Sequence, residues 1–375
     1  MKKLPLKVDA LILSECWTYF RMAIIETSPF KETWIATHFR IFSYHDFSVM
    51  FGENGRMHPM NYFSDILSFR EIPVSQVSCN NLIETLIKEI EQDSYVILDC
   101  NFPKIFPDAS EEFHLHETYL FGFDDEKEVF YGTVLQNSGR FEEMEIPFGR
   151  VLAAFADIPS YFSKHPEEMV ERRCSLFTIS SIQLKDSYRD DNSIYLFLQK
   201  IQDELNGSKH TALFYDKDGK LPEASSLFYS SKGKVSQVGE YYTGLACLLM
   251  IREDIGKLLD VQDISEATAE NFTKSLKKLH EHQSVIQQSM EWFMKELSIE
   301  DALLADFVRQ YKECCGELQK LYLMALKFEM THNKELLKRV QDELLDLYKS
   351  EYACLSQFDA LAKQHYYENQ RQQLR

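Results

Sequence analysis

The sequence predicts an α+β protein with a mixed N-terminal domain, followed by a mainly α-helical C-terminal domain that ends in a long helical hairpin. Two observations lead to this fold class. Short apolar runs bounded by turn residues follow one another between residues 95 and 135, which is typical of strands. Beyond residue 300, apolar residues recur at alternating intervals of four and three, which is typical of packed helices.

The composition is that of a folded, acidic protein. Apolar residues make up 45% of the chain and charged residues 27%, so the 375 residues can supply the cores of about two domains. The 59 acidic and 41 basic residues give a net charge of −18. This charge argues against binding to nucleic acid or to an anionic membrane surface. It would also repel an acidic partner unless a local basic patch intervened.

The N-terminal sequence and the cysteine pattern favour a cytoplasmic protein. The apolar stretch 10–13 is too short for a signal peptide, and the sequence contains no apolar stretch as long as a membrane span. The eight cysteines are scattered without a Cys-x-x-Cys pair, so we expect free thiols and no metal site.

Residues 1–160 are expected to form the first domain. The apolar run Cys16 to Ile25 carries one charge and predicts a buried helix. Helical spacing over 81–90, behind an asparagine N-cap, predicts a second helix. Three strands and a closing helix follow, and they are predicted over 95–100, 116–123, 128–135 and 146–156.

Residues 161–235 are predicted to connect this domain to a helical domain over 236–375. The connection holds a strand-like stretch at 175–179. The polar stretch 203–223 is interrupted by glycine and proline, which predicts a long exposed loop. Further helices are predicted over 241–259 and 267–297, with a cap-like pattern at 298–301 that begins the next one.

The last two helices are predicted to form a hairpin with coiled-coil character. Packing of its apolar seam inside a helical bundle is the simpler interpretation, and a homodimer interface through these C-terminal helices is the alternative. The seam residues are Leu304, Val308, Tyr311, Cys315, Leu318, Tyr322 and Ala325, then Leu337, Val340, Leu344, Leu347, Cys354 and Phe358.

Cys16 and His116 are the most informative residues for function. Cys16 opens the first predicted helix, where the helix dipole favours a thiolate. His116 opens a predicted strand, and a thiol nucleophile and its histidine base commonly come from elements far apart in sequence. The alternative interpretation is a buried structural cysteine and a histidine bonded to the backbone. His114 would share a strand face with His116 and competes for the same role.

The spacing of these residues resembles that of the butirosin-biosynthesis H-type N-terminal domain, which is related to papain-like cysteine peptidases. The resemblance covers roughly residues 10–160. It rests on Cys16-Trp17-Thr18, on His116 six residues before Gly122-Phe123-Asp124-Asp125-Glu126, and on Val129-Phe130-Tyr131. The resemblance implies a papain-like cysteine-peptidase-type fold for the N-terminal domain. It also implies a cysteine-dependent acyltransferase of peptide- or polyketide-type secondary-metabolite biosynthesis.

In the reaction that the resemblance implies, Cys16 attacks a carrier-protein thioester, and His116 acts first as base and then as acid. The acyl group passes through an acyl-cysteine intermediate to an amine or hydroxyl of a small-molecule or peptide acceptor. The expected partner is an acyl or peptidyl carrier protein. No bound cofactor is expected beyond the phosphopantetheine arm that carries the donor.

Two positions depart from the family pattern. Thr133 stands where relatives carry an aspartate that orients the histidine; Gln136 or Asn137 would replace it, since an amide can hold the imidazole tautomer. Asp99 would either point into the same cleft or shape a turn. Ala10 stands where peptidase relatives carry an oxyanion glutamine. These departures support an alternative function as a non-catalytic binding module for a peptide or carrier protein, and a peptidase or deamidase is a third function.

Overall fold

The structure, a computed structural model, describes residues 1–53, 63–73, 76–106, 113–135, 140–164, 178–188, 192–207, 209–213 and 238–373. It is mixed α/β, with an antiparallel sheet in the N-terminal region and long helices in the C-terminal part. The chain divides into two compact units. The described part of unit 1 lies within residues 1–29 and 58–188, and that of unit 2 within residues 30–57, 189–214 and 238–375.

The described elements include both helices and strands up to residue 243 and are helical beyond it. In chain order they are β1 (Lys2–Lys3), α1 (Cys16–Ile25), α2 (Lys31–His38), β2 (Phe39–Tyr44), β3 (Ser48–Glu53), β4 (Leu67–Pro73), α3 (Leu82–Glu91), β5 (Tyr95–Asn101), a 3-10 helix (Phe102–Ile105), β6 (Leu115–Asp124), β7 (Val129–Leu135), β8 (Phe141–Pro147), α4 (Phe148–Lys164), β9 (Thr178–Leu184), α5 (Ser193–Leu205), β10 (Lys209–Leu213), β11 (Val238–Thr243), α6 (Ala246–Leu259), α7 (Glu266–Glu296), α8 (Ala302–Thr331) and α9 (Lys334–Gln373).

Unit 1 is built on an antiparallel sheet that has seven strands in the described part of the chain. The strand order is β4–β9–β5–β6–β7–β8, and β1 pairs with β6. Helix α1 packs on one face of this sheet, where the rings of Phe20 and Tyr119 stack at 4.6 Å and those of Tyr19 and Phe141 at 3.5 Å. We call the face that carries Tyr119 the α1 face.

Helix α3 covers the opposite face of the same sheet. Ser181 of β9 donates a hydrogen bond to Glu89 of α3 at 2.7 Å. Tyr119 pairs with Ile97, and Ile97 pairs with Ser180, so these three side chains share a face. Because successive side chains of a strand alternate between faces, Ser181 points away from the α1 face. We call the face of Ser181 the α3 face.

Unit 2 combines a small sheet with the long helices. Its four described strands pair antiparallel in the order β10–β11–β2–β3. Helix α8 packs against α7 and α9, and the Asp301 side chain caps its first turn by accepting from the Leu303 and Leu304 N–H groups. The chain then reverses at His332, which has a positive φ of 50°, to begin α9.

The core of unit 2 contains a network of charged side chains. Lys200 of α5 is fully buried and donates to the Ile35 carbonyl at 3.0 Å and to the Ser289 hydroxyl at 3.3 Å. One turn along α5, Glu204 is also buried and lies 3.0 Å from the His282 Nε2 atom. Burial lowers the pKa of Lys200 well below its ordinary value, and the Arg40 charge adds to this effect. Glu204 supplies the negative charge of this network, and that charge favours the charged forms of Lys200 and Arg40.

Most of the predicted elements are present, with shifted ends. The helix at Cys16–Ile25, the strands of β5, β6 and β7 and the final helical hairpin are confirmed. Three predictions were wrong in detail. Tyr241 to Thr243 belong to strand β11 rather than to a helix, α5 and β10 occupy part of the predicted loop over 203–223, and strand β8 precedes the closing helix. Residues 214–223 of that loop lie outside the described residues.

The two compact units differ in their bounds from the predicted domains. Residues 30–57 belong to unit 2, because β2 pairs with β11 through Thr243 and Phe42. Strand β9, which was expected in a connecting segment over 161–235, lies inside the sheet of unit 1 between β4 and β5. Pairings between residues so far apart in sequence leave no local pattern, so the prediction followed chain continuity instead.

The predicted hairpin seam packs within unit 2. The seam residues Leu304, Tyr311 and Leu318 of α8 are buried, as are Leu337 and Leu344 of α9. Packing inside a bundle therefore accounts for the seam. Every helix among the described residues is too short or too polar to cross a membrane.

Candidate functional site

Cys16 is the first residue of α1 and is half-buried. The preceding residue, Glu15, is extended and occupies the N-cap position, with φ of −142°. Its carboxylate accepts a hydrogen bond from the Thr18 hydroxyl in the first turn. A helix N-terminus favours an anion, and here a carboxylate is already present to meet that preference. Glu15 and the Cys16 thiol therefore both lie at the positive end of the helix dipole.

Tyr119 and Glu117 of β6 lie on the α1 face. The Tyr119 hydroxyl donates to the Glu117 Oε2 atom at 2.8 Å. Burial raises the pKa of Tyr119 well above its ordinary value, the negative charges of Glu117 and Cys16 raise it further, and the Arg21 charge opposes them. These electrostatic effects fade quickly with distance, so Cys16, Glu117 and Arg21 all lie near the Tyr119 phenol.

Asp99 lies on the same face as this cluster. It pairs directly with Glu117 across β5 and β6, so the two carboxylates are neighbours on the α1 face. Both side chains are half-buried. Asp99 was predicted either to point into the cleft of Cys16 and His116 or to shape a turn; it lies within strand β5, and its side chain shares the face of Glu117. The group beside Asp99 is Glu117, and it is not an imidazole.

His116 belongs to the opposite face. It pairs with Cys100, and side-chain alternation along β6 directs it away from Glu117 and Tyr119. Its ring packs 5.1 Å from that of Phe102, and its Nδ1 atom donates to the backbone carbonyl of Glu117 at 3.0 Å. The structure therefore does not bring His116 together with Cys16. Its face is the α3 face of unit 1.

The ring of His114, the competing histidine, stacks on that of His116 with centroids 5.9 Å apart. Thr133 pairs with Tyr119 and is fully buried on the α1 face. Burial raises the pKa of Tyr19 to about 12, and the nearby Thr133 hydroxyl opposes this rise. Thr133 thus lies beside a phenol and cannot orient His116 through the sheet. Gln136 and Asn137 lie outside the described residues.

The arrangement around Cys16 is poorly suited to nucleophilic catalysis. A carboxylate, with an ordinary pKa near 4, is a weak base for a thiol with a pKa near 8.5. Glu15 at the N-cap of α1 and Glu117 beside Tyr119 give this end of the α1 face two carboxylates. The same surface suits the binding of a positively charged group. The described residues contain no cluster of three or more His, Cys, Asp or Glu side chains that could hold a metal ion.

Glu117 and Tyr119 are the residues that sequence reasoning missed. Strand β6 is buried on both faces from Thr118 onward, so its polarity does not alternate. Without that alternation the sequence gives no indication of which face of the strand contacts α1. The ring pair between Phe20 and Tyr119 is what distinguishes the two faces.

Comparison with known proteins adds no family assignment. No protein-family model matches the chain, and no curated protein matches it at a significant level. The resemblance to the butirosin-biosynthesis H-type domain therefore rests on the short motifs around Cys16 and His116.

Proposed function

We propose that this protein is a non-catalytic binding module on a papain-like scaffold, related to the butirosin-biosynthesis H-type N-terminal domain. The observation that supports this proposal is the separation of Cys16 and His116 on opposite faces of the unit 1 sheet. A thiol nucleophile needs an adjacent base or another means of forming its thiolate. Glu15 at the N-cap of α1 and Glu117 beside Tyr119 are carboxylates rather than imidazoles, so we expect the Cys16 thiol to have ordinary reactivity.

Charge selects the class of partner. Glu15, Asp99 and Glu117 gather at the Cys16 end of the α1 face, and the chain carries a net charge of −18. Electrostatic complementarity favours a partner of opposite charge. The proposed partner is therefore a polypeptide with a basic segment, and an acidic carrier protein fits this surface less well.

Thiol reactivity tests the non-catalytic part of the proposal, with Cys79 as an internal standard because it is exposed in the same unit. Alkylation by iodoacetamide is followed at both cysteines by peptide mass spectrometry from pH 6 to pH 9. We expect Cys16 to react no faster than Cys79 at pH 6. Faster, pH-independent alkylation of Cys16 would reveal an activated thiolate and contradict the proposal.

Peptide binding tests the partner class. Fluorescence anisotropy compares a labelled lysine-rich peptide with a glutamate-rich peptide of equal length. The Asp99→Asn/Glu117→Gln variant should weaken binding of the lysine-rich peptide about tenfold, which is the scale of losing close charge pairs. Glu126→Gln/Glu142→Gln removes the same charge from exposed positions elsewhere in unit 1 and is the matched control. Equal losses in both variants, or no binding by either peptide, would overturn the assignment.

The second candidate is the cysteine-dependent acyltransferase, which is favoured by the position of Cys16 at the first residue of α1. The protein is incubated with an acyl-carrier thioester and examined by intact-protein mass spectrometry. An acyl adduct that is present on the wild type and absent from Cys16→Ala would establish the enzyme and exclude the binding module. Release of free acid or of a cleaved peptide would instead identify a peptidase or deamidase.

A further inference from the structure

A polar groove lies on the α3 face of unit 1, between α3 and the strands β4 and β9. Its volume is about 500 Å³, which is within the range of small-molecule sites. The groove is formed entirely by unit 1 and lies on the other side of the sheet from Cys16. Any ligand of this groove is therefore independent of the function proposed for the α1 face.

A buried carboxylate organises the groove. The Glu89 side chain is only 5% exposed, and it accepts hydrogen bonds from the Ser181 hydroxyl at 2.7 Å and from the Arg70 guanidinium. Arg70 and Ser181 are direct partners across β4 and β9, so the register of the sheet places both of them beside Glu89 of α3. The Arg70 side chain nevertheless remains 57% exposed. The result is a cation held in one place at the surface of the groove.

Arg70 has donors left for a ligand. A guanidinium carries five N–H donors, and its contact with one oxygen of Glu89 leaves the others able to bind an oxyanion. Lys88, the residue before Glu89 on α3, is exposed and adds a second positive charge to the same groove. Because Glu89 is paired with Arg70, the groove presents a net positive charge on a protein whose net charge is −18.

The rest of the lining is unusually polar for a small-molecule site. Such sites are ordinarily lined mostly by apolar side chains with a few polar groups. Here the apolar side chains on the α3 face are Ile72 and Val77. Hydroxyl and amide groups dominate, and they belong to Ser68, Thr85, Ser94, Gln76, Gln92 and Gln183. Groups of this kind both donate and accept hydrogen bonds, as the hydroxyls of a sugar do.

We propose that this groove binds a small, hydroxyl-rich oxyanion, of the class of sugar phosphates and sugar acids. Arg70 and Lys88 bind the phosphate or carboxylate group, and the hydroxyl and amide side chains bind the sugar hydroxyls. Glu89 and Ser181 position Arg70 and need not touch the ligand.

Isothermal titration calorimetry on the full chain tests this proposal with four probes: glucose 6-phosphate, gluconate, glucose and inorganic phosphate. We expect glucose 6-phosphate or gluconate to bind at least about tenfold more tightly than glucose or phosphate alone, since each lacks one half of the required chemistry. The stronger of the two oxyanions identifies the anionic group. Absence of binding by both, or equal binding of phosphate and glucose 6-phosphate, would overturn the ligand class.

Substitutions locate the site. Arg70→Gln should weaken binding of the better oxyanion about tenfold or more, on the scale of one charge-assisted hydrogen bond. Lys127→Gln removes an exposed lysine at the β6–β7 turn and should leave affinity unchanged. Arg70→Lys keeps the charge but lacks the planar fork, so it gives an intermediate loss and remains informative if Arg70→Gln does not fold. Wild-type affinity in both Arg70 variants would show that the ligand binds elsewhere.

Discussion

His116 and Cys100 are direct cross-strand partners in β6 and β5, and their side chains share the α3 face of unit 1. Their neighbours Glu117 and Asp99 form the next pair along the ladder and face α1. Because one residue along a strand reverses the direction of the side chain, this register places Glu117, and not His116, on the face of the sheet that α1 covers. The chemistry available to the thiol follows from that single step.

The first prediction concerns this neighbour. Glu117→Gln removes a negative charge near Cys16, so the thiolate fraction should rise and the alkylation rate of Cys16 should increase about twofold to tenfold at pH 7. His116→Ala should leave the rate unchanged, because the imidazole lies on the other face. Both rates are measured relative to Cys79 in the same molecule. A rate that falls in His116→Ala and is unaffected in Glu117→Gln would contradict the described register.

The buried hydrogen bond of Tyr119 contributes to the stability of unit 1. Tyr119→Phe removes the donor to the Glu117 carboxylate and should lower the free energy of unfolding by about 1 to 2 kcal/mol. Tyr131→Phe is the control, since the hydroxyl of that buried phenol donates to the weakly accepting sulfur of Met1. Urea denaturation measures both variants. Equal effects would mean that the Tyr119 hydroxyl has no special partner.

Removal of the Glu204 charge should strongly destabilise unit 2. In Glu204→Gln the buried Arg40 guanidinium and the buried Lys200 amine lose the carboxylate that favours their charged forms, and the expected loss is about 3 to 5 kcal/mol in the free energy of unfolding. Glu343→Gln breaks an exposed ion pair with Arg339 and should have no measurable effect. Chemical denaturation compares the two variants. A stable Glu204→Gln variant would show that the network does not need this charge.

Glu351 should make the stability of unit 2 depend on pH. Burial raises its pKa from 4.5 to about 8, although the hydrogen bond from Tyr311 opposes the rise. The folded protein therefore binds a proton that the unfolded chain releases, between pH 4.5 and pH 8. The contribution of Glu351 to the free energy of unfolding is fully present below pH 4.5. It is lost as the pH rises from 4.5 to 8, by up to about 1.4 kcal/mol per pH unit.

Glu351→Gln tests this pH dependence because a neutral amide replaces the carboxyl group. The difference in unfolding free energy between the variant and the wild type should shift in favour of the variant as the pH rises from 5 to 8. Contributions from groups common to both proteins cancel in this difference. A difference that is constant with pH would show that Glu351 titrates near its ordinary pKa in the folded protein.

Local patterns predicted the parts of the fold that depend on local interactions. The helix from Cys16 to Ile25 and the seam from Leu304 onward are recorded in the spacing of neighbouring apolar residues. The pairing of Phe42 with Thr243 joins residues about two hundred positions apart and has no local signature. For this reason residues 30–57 were predicted to belong to the N-terminal domain, whereas the structure groups them with unit 2.

The candidate site was only partly predictable for a related reason. Cys16 and Asp99 could be placed on their helix and strand from the sequence, because residue type and element are local properties. Whether His116 or Glu117 faces α1 depends on which face of β6 contacts that helix. A strand that is buried on both sides has no alternation of polar and apolar residues from which this face could be predicted. Arg70 lies in strand β4 and Glu89 in helix α3, which packs on the sheet. The groove beside this ion pair could therefore not be predicted from local sequence either.

Neither unit is a continuous stretch of chain, and this limits how the protein can be divided. A fragment that begins at residue 236 would contain β11 without its neighbour β2, and would lack α5 with Lys200 and Glu204. A fragment that ends at residue 160 would lose β9, the strand that joins β4 to β5. A cut at residue 160 therefore interrupts both units, a cut at residue 236 interrupts unit 2, and neither cut releases a complete unit 2.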